Sequence, residues 1–129
     1  MVRAVDAGVE WMIEADGCAL DGLRSAETLR ALLDDVVRRL ELKVVGVPLW
    51  HSFPGHAGVT GMYLLSESHL TVHTYPELDL VTLNLYACRP RPEYPWRAEL
   101  AARLGARRVR VRCVTRALDG FTEGEALDG

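Results

Sequence analysis

Residues 59–87, VTGMYLLSESHLTVHTYPELDLVTLNLYA, decide the fold. They hold three extended runs: 59–65, the stretch from Leu70 through Val72 to Tyr75, and 80–87, with Pro76 and Asp79 bracketing a turn between the last two. The runs are rich in Val, Thr and Tyr, which suit a pleated surface, and proline interrupts a ladder, so the middle third is predicted to be sheet. A strand's period of two sets His69, Thr71 and His73 on one face and Ser68, Leu70, Val72 and Thr74 on the other. Polar residues are unusually dense here for strand sequence, with Ser66, Glu67, Ser68, His69, Thr71, His73 and Thr74 in one short span.

Upstream, residues 43–50 are rich in valine, and Pro54, Gly55 and Gly58 punctuate a turn before residue 59, which predicts a hairpin. Before that, Leu29, Leu32, Leu33, Val36, Val37 and Leu40 recur at helical spacing, with Asp34, Asp35, Arg38 and Arg39 on the opposite face. Ser25 is placed to cap this helix and Glu27 falls in its first turn. Residues 9–15 read as a strand. Downstream, Pro95, Trp96, Leu100 and Leu104 predict a short helix closed by Gly105, followed by a strand over 107–115. The order gives an α+β fold, a two-layer sandwich in which two helices cover one face of a mainly antiparallel sheet. Residues 1–117 are expected to form a single domain, and 118–129, acidic and glycine-rich, a flexible tail. With helices on one side only, the other sheet face needs a partner, and a homodimer is expected.

At 129 residues the chain suits one hydrophobic core. A net charge of −3 speaks against nucleic acid as a partner, and the alternation of Arg108, Arg110 and Arg112 with Val109 and Val111 reads as a strand with one solvated face. No apolar run is long enough to span a membrane and no signal peptide is evident, so the expected location is cytoplasmic. Cys18, Cys88 and Cys113 show no C-x-x-C spacing, which fits reduced thiols.

Two chemistries can be set aside for residues 64–88. His69 and His73, four apart, would align on a helix turn but lie well separated on a strand, so no metal site is assigned. A Ser-His-acid hydrolase would need a G-x-S-x-G elbow between strand and helix, and none is present.

The run Leu65-Ser66-Glu67-Ser68-His69-Leu70-Thr71-Val72-His73-Thr74-Tyr75-Pro76-Glu77 closely resembles the processing-site motif of prokaryotic S-adenosylmethionine decarboxylases. The resemblance extends to Cys88 and back to Gly8 and Cys18, covering the chain to about residue 116. It implies a proenzyme that cuts itself between Glu67 and Ser68, leaving β and α chains and turning Ser68 into a covalent pyruvoyl group, so that the expected dimer is built of cleaved αβ protomers. That group is an electron sink that forms a Schiff base with a substrate amine in place of pyridoxal phosphate. By the same resemblance His73 is the base of self-cleavage and Thr60 a supporting hydroxyl. Cys88 protonates the substrate carbon after decarboxylation, Glu77 binds the ribose hydroxyls of S-adenosylmethionine, and Phe53 stacks on its adenine.

The motif departs from the family at four places. Tyr75 replaces a tryptophan, Asn84 an aspartate, Arg89 a glycine and Glu10 a histidine. Relatives that decarboxylate arginine or ornithine keep a basic amino acid as the alternative substrate, with Glu10 as a candidate carboxylate for its cationic end. A homologue that does not process and serves as a regulatory partner is the remaining reading, and the presence of Ser68, His73 and Cys88 speaks against it.

Overall fold

The alternation in the middle third becomes an antiparallel sheet. The computed structural model describes residues 6–89 and 91–117. Its strands are β1 (Asp6–Asp16), β2 (Leu49–Ser52), β3 (Val59–Leu65), β4 (Ser68–Tyr75), β5 (Leu80–Ala87) and β6 (Arg108–Ala117), in the order β2-β3-β4-β5-β1-β6 with each neighbouring pair antiparallel. The helices are α1 (Leu20–Leu23), α2 (Ala26–Arg39) and α3 (Trp96–Leu104). The α+β sandwich expected from the sequence is thus present, with one short helix more than anticipated.

The helix α2 forms where its apolar spacing predicts. Ser25 caps it, accepting a hydrogen bond from the Thr28 amide at 3.0 Å, and Glu27 and Arg38–Arg39 complement its dipole at the two ends. Leu29, Leu32, Leu33 and Val36 are fully buried against Ile13, Leu70, Val72, Val81 and Leu85 of the sheet. Gly105 ends α3 in the left-handed conformation, with φ of 69°. Asp35 ties the two longer helices together. It accepts from Tyr94 Oη at 2.7 Å and pairs with Arg39, Arg103 and Arg38. Burial pushes its carboxyl up, but the hydrogen bonds of Tyr94, Arg39 and Arg38 and the charge of Arg103 outweigh it and hold the group below the ordinary range.

Several elements differ from expectation: β1 runs over Asp6–Asp16 rather than 9–15, and β4 opens at Ser68 rather than Leu70. The strand expected over 43–50 starts only at Leu49, because Gly46 takes φ of 72° and Pro48 lacks an N–H. Val44 makes just one bridge, to Leu65. The one-turn helix α1 has no side-chain cap to announce it. The last strand runs two residues past 115, to Ala117. The tail expected over 118–129 lies outside the described residues. Among those described, no helix is long and apolar enough to cross a membrane.

Burial alternates strictly along β3, β4 and β5, so one sheet face lies under the helices and the other is open. The open face carries exposed apolar side chains, among them Leu49, Met62, Leu64 and Val114. On its β6 side the arginines meet acids of β1: Arg108 pairs with Asp16, Arg110 and Arg112 with Glu14, and Arg116 with Glu10. The arginine alternation therefore serves cross-strand pairing.

Candidate active site

The expected site residues fall into two clusters at opposite ends of the central strands. The first is built on the β3–β4 turn. Leu65 pairs with Ser68, so Ser66 and Glu67 alone make the connection, and half-buried Ser68 opens β4. Cys88 follows the last residue of β5 and donates through Sγ to the Glu67 carbonyl oxygen. Gly8 of β1 permits this close packing. At φ of 132° it lies where a Cβ would meet the Ala87 carbonyl at 2.7 Å and the Cys88 Cα at 3.2 Å. Arg89 Nε lies 2.7 Å from Glu67 Oε1, a contact that sequence reasoning missed.

The second cluster gathers at the far end. Thr60 and His73 face each other across β3 and β4, with 3.0 Å between Thr60 Oγ1 and His73 Nδ1. Both line a cavity of about 290 Å³ together with Phe53, His56, Tyr75 and Glu77. Phe53 is 49 % exposed and is steadied by an edge-on contact with His51 at 4.5 Å. Glu77 projects from a single 3-10 turn over Pro76–Leu78, which starts at the proline that ends β4. Thr74 anchors this end from the buried side, accepting from the Val59 amide and donating to the Leu23 carbonyl.

The structure therefore brings Glu67, Ser68 and Cys88 together, and separately Thr60, His73, Phe53 and Glu77. It does not bring Ser68 to His73 within one chain. They open and nearly close the same strand, about 17 Å apart at an ordinary strand rise, and on opposite faces by alternation.

Between the clusters, the open face carries a polar chain unforeseen as a unit. His69 Nε2 lies 2.8 Å from Asn84 Oδ1, Asn84 Nδ2 donates to Glu10 Oε2 at 2.7 Å, and Arg116 pairs with Glu10 Oε1 at 3.1 Å. The Asn84 hydrogen bond, helped by Arg116, holds the Glu10 carboxyl below its ordinary range against the opposing effect of burial. Two of the four departures from the motif thus form one contact. The signal was the register: Glu10, Tyr86 and His69 occupy one rung, with Asn84 two rungs along on the same face. A larger cavity, about 430 Å³, opens beside the Asp16–Arg108 pair and contains none of the expected site residues. Among the described residues no three His, Cys, Asp or Glu side chains converge as a metal-ligand set.

Comparison with known proteins places the fold and the family. The family described as S-adenosylmethionine decarboxylase matches residues 9–117. An arginine decarboxylase proenzyme of Ignicoccus hospitalis is 38% identical over 72 residues, 56% of this chain and 49% of that protein. An S-adenosylmethionine decarboxylase proenzyme of Archaeoglobus fulgidus is 42% identical over 62 residues, 48% of this chain and 54% of that protein. The chain thus spans about half the length of these two relatives. A third, the S-adenosylmethionine decarboxylase proenzyme of Clostridium botulinum, is 32% identical over 82 residues, 64% of this chain and 69% of that protein. The crystal structure of the adenosylmethionine decarboxylase from Aquifex aeolicus superposes with a TM-score of 0.71 over 95% of this chain and 100% of that one, at 24% identity, which shows a shared fold. The family match, which extends from β1 through β6 and takes in both clusters, shows that this chain belongs to the S-adenosylmethionine decarboxylase family.

Proposed function

We propose that this chain cuts itself between Glu67 and Ser68, converts Ser68 into a pyruvoyl group and decarboxylates S-adenosylmethionine, working as a homodimer of cleaved protomers. The observation that carries the reading is the Cys88 thiol seated on the Glu67 carbonyl, the acyl side of the bond to be cut. A donor there polarises the carbonyl and stabilises the oxyanion that forms as Ser68 Oγ attacks. Ser68 follows the two-residue turn directly and carries both the hydroxyl and the amide nitrogen that exchange the acyl group, so the residues present suit formation of a pyruvoyl group. Once formed, that group supplies an electron sink for the pair left by departing carbon dioxide. Cys88, exposed beside residue 68, then returns a proton to the substrate carbon.

His73 serves as the base that removes the Ser68 α-proton. Thr60 on Nδ1 fixes its ring and leaves Nε2 for the transfer. Since Ser68 and His73 of one chain lie apart, His73 acts on the Ser68 of a second copy. A twofold axis that sets the β3–β4 turn of one protomer beside the Thr60–His73 end of the other gives two equivalent sites, with Ser68 reached at the end of its strand. The exposed Leu49, Met62, Leu64 and Val114 supply apolar surface for that contact.

The cavity beside His73 supports the choice of substrate. The exposed Phe53 ring suits stacking on adenine, and the exposed Glu77 carboxylate suits the paired hydroxyls of a ribose. Glu10 has both carboxylate oxygens engaged, by Asn84 and Arg116, and offers little to a guanidinium. The similarity to a protein named arginine decarboxylase proenzyme supports arginine as the second reading. Release of labelled carbon dioxide from carboxyl-labelled S-adenosylmethionine, arginine and ornithine separates the two. The expected outcome is release from S-adenosylmethionine, abolished in Ser68→Ala, whereas release from arginine alone would overturn the substrate assignment.

A further inference from the structure

Arg89 forms an ion pair with the residue that gives up the bond, its N–H not aimed at the carboxylate oxygen. Its Nε lies 2.7 Å from Glu67 Oε1, while its neighbour Cys88 donates to the Glu67 carbonyl. Two successive residues after β5 therefore hold Glu67 by side chain and by backbone. A glycine at position 89 would supply no such charge.

We propose that Arg89 is a positioning residue for chain cleavage, holding the Glu67 side of the 67–68 bond against the Cys88 thiol and retaining the Glu67 end once the bond is cut. This rests on the self-cleavage reading above. In that reaction Ser68 Oγ bonds to the Glu67 carbonyl carbon as the C–N bond breaks, giving an ester. Loss of the Ser68 α-proton to a base then forms the Cα=Cβ bond and expels the Glu67 α-carboxylate. Water finally replaces the residue 68 nitrogen, which leaves as ammonia, and makes the pyruvoyl carbonyl. Negative charge thus grows on the Glu67 main-chain carboxylate as the Cβ–O bond breaks, and the Arg89 guanidinium, which contacts the side chain of the same residue, is the cation beside it. Arg89 is 70% and Glu67 33% exposed, so the coupling is modest and weakens with salt.

The test follows cleavage of the full chain in a pulse of cell-free synthesis at low ionic strength, for wild type, Arg89→Gly, Arg89→Lys, Glu67→Gln and the Glu67→Gln/Arg89→Gly pair. Arg89→Gly is expected to cleave about threefold more slowly, with Arg89→Lys recovering most of the rate. The loss disappears in the Glu67→Gln background, and added salt slows the wild type toward Arg89→Gly. Melting temperature stays at the wild-type value, since Arg89 is largely exposed. Wild-type protein that never cleaves would remove the parent reading and this one together. Wild type that cleaves while Arg89→Gly keeps pace overturns this proposal alone. A loss that persists undiminished without the Glu67 carboxylate, or that comes with a lowered melting temperature, also overturns it.

Discussion

At the scale of residues, Thr60 is the most direct handle on the proposed base. Its hydroxyl lies 3.0 Å from His73 Nδ1 and sets which ring nitrogen is free. Thr60→Val keeps the volume and removes that partner. The loss of one hydrogen bond, worth about 1–1.5 kcal/mol, should slow self-cleavage up to about tenfold. Thr60→Ser should leave the rate near wild type, and a gel time course of chain cleavage reads both. Equal rates for Thr60→Val and wild type would remove Thr60 from the chemistry. The residue types of this site were legible in the sequence through the motif at 65–77, because the proposed reaction demands a hydroxyl, an imidazole and a thiol. The contacts of Arg89 with Glu67 and of Asn84 with Glu10 were not, since each joins residues far apart in the chain whose meeting depends on strand register.

At the scale of elements, α2 was readable because its apolar spacing, cap and dipole charges all agree. The β3–β4 connection was not, because Ser66 and Glu67 are neither glycine nor asparagine, and neither adopts the positive φ that usually signals a two-residue hairpin. The packing of α2 against α3 depends on Asp35, 7% exposed and surrounded by Tyr94, Arg38, Arg39 and Arg103. Its folded-state pKa lies below the unfolded value of about 3.8. The group therefore contributes stability fully above that value and loses the contribution as pH falls through the lower, folded one. Asp35→Ala should cost about 3 kcal/mol at neutral pH, by leaving the surrounding donors unpaired, and should flatten the acid limb of the stability curve. Urea unfolding between pH 3 and 7 measures both effects. A loss that is the same at every pH would show that Asp35 acts by packing alone.

At the scale of the whole molecule, the separation of the two clusters is the decisive feature, because the proposed chemistry then requires a second copy. Ser68→Ala retains His73 but cannot cleave, and His73→Ala retains Ser68 but lacks the base. Coexpressed, they should restore cleavage of the His73→Ala chain alone, and continued failure to cut would mean that the two clusters do not meet between copies. Helices on a single side of the sheet were foreseeable from element order, and so was the need to cover the open face. That Ser68 and His73 of one chain lie apart was legible in strand alternation, while which residues join each of them follows from the register of β3, β4 and β5. Self-cleavage after Glu67 is read without intermediary from the intact mass of purified wild-type protein under denaturing conditions. Two chains are expected, one ending at Glu67 and one blocked at its N-terminus by the pyruvoyl group derived from Ser68. A single uncut chain persisting after long incubation would contradict it.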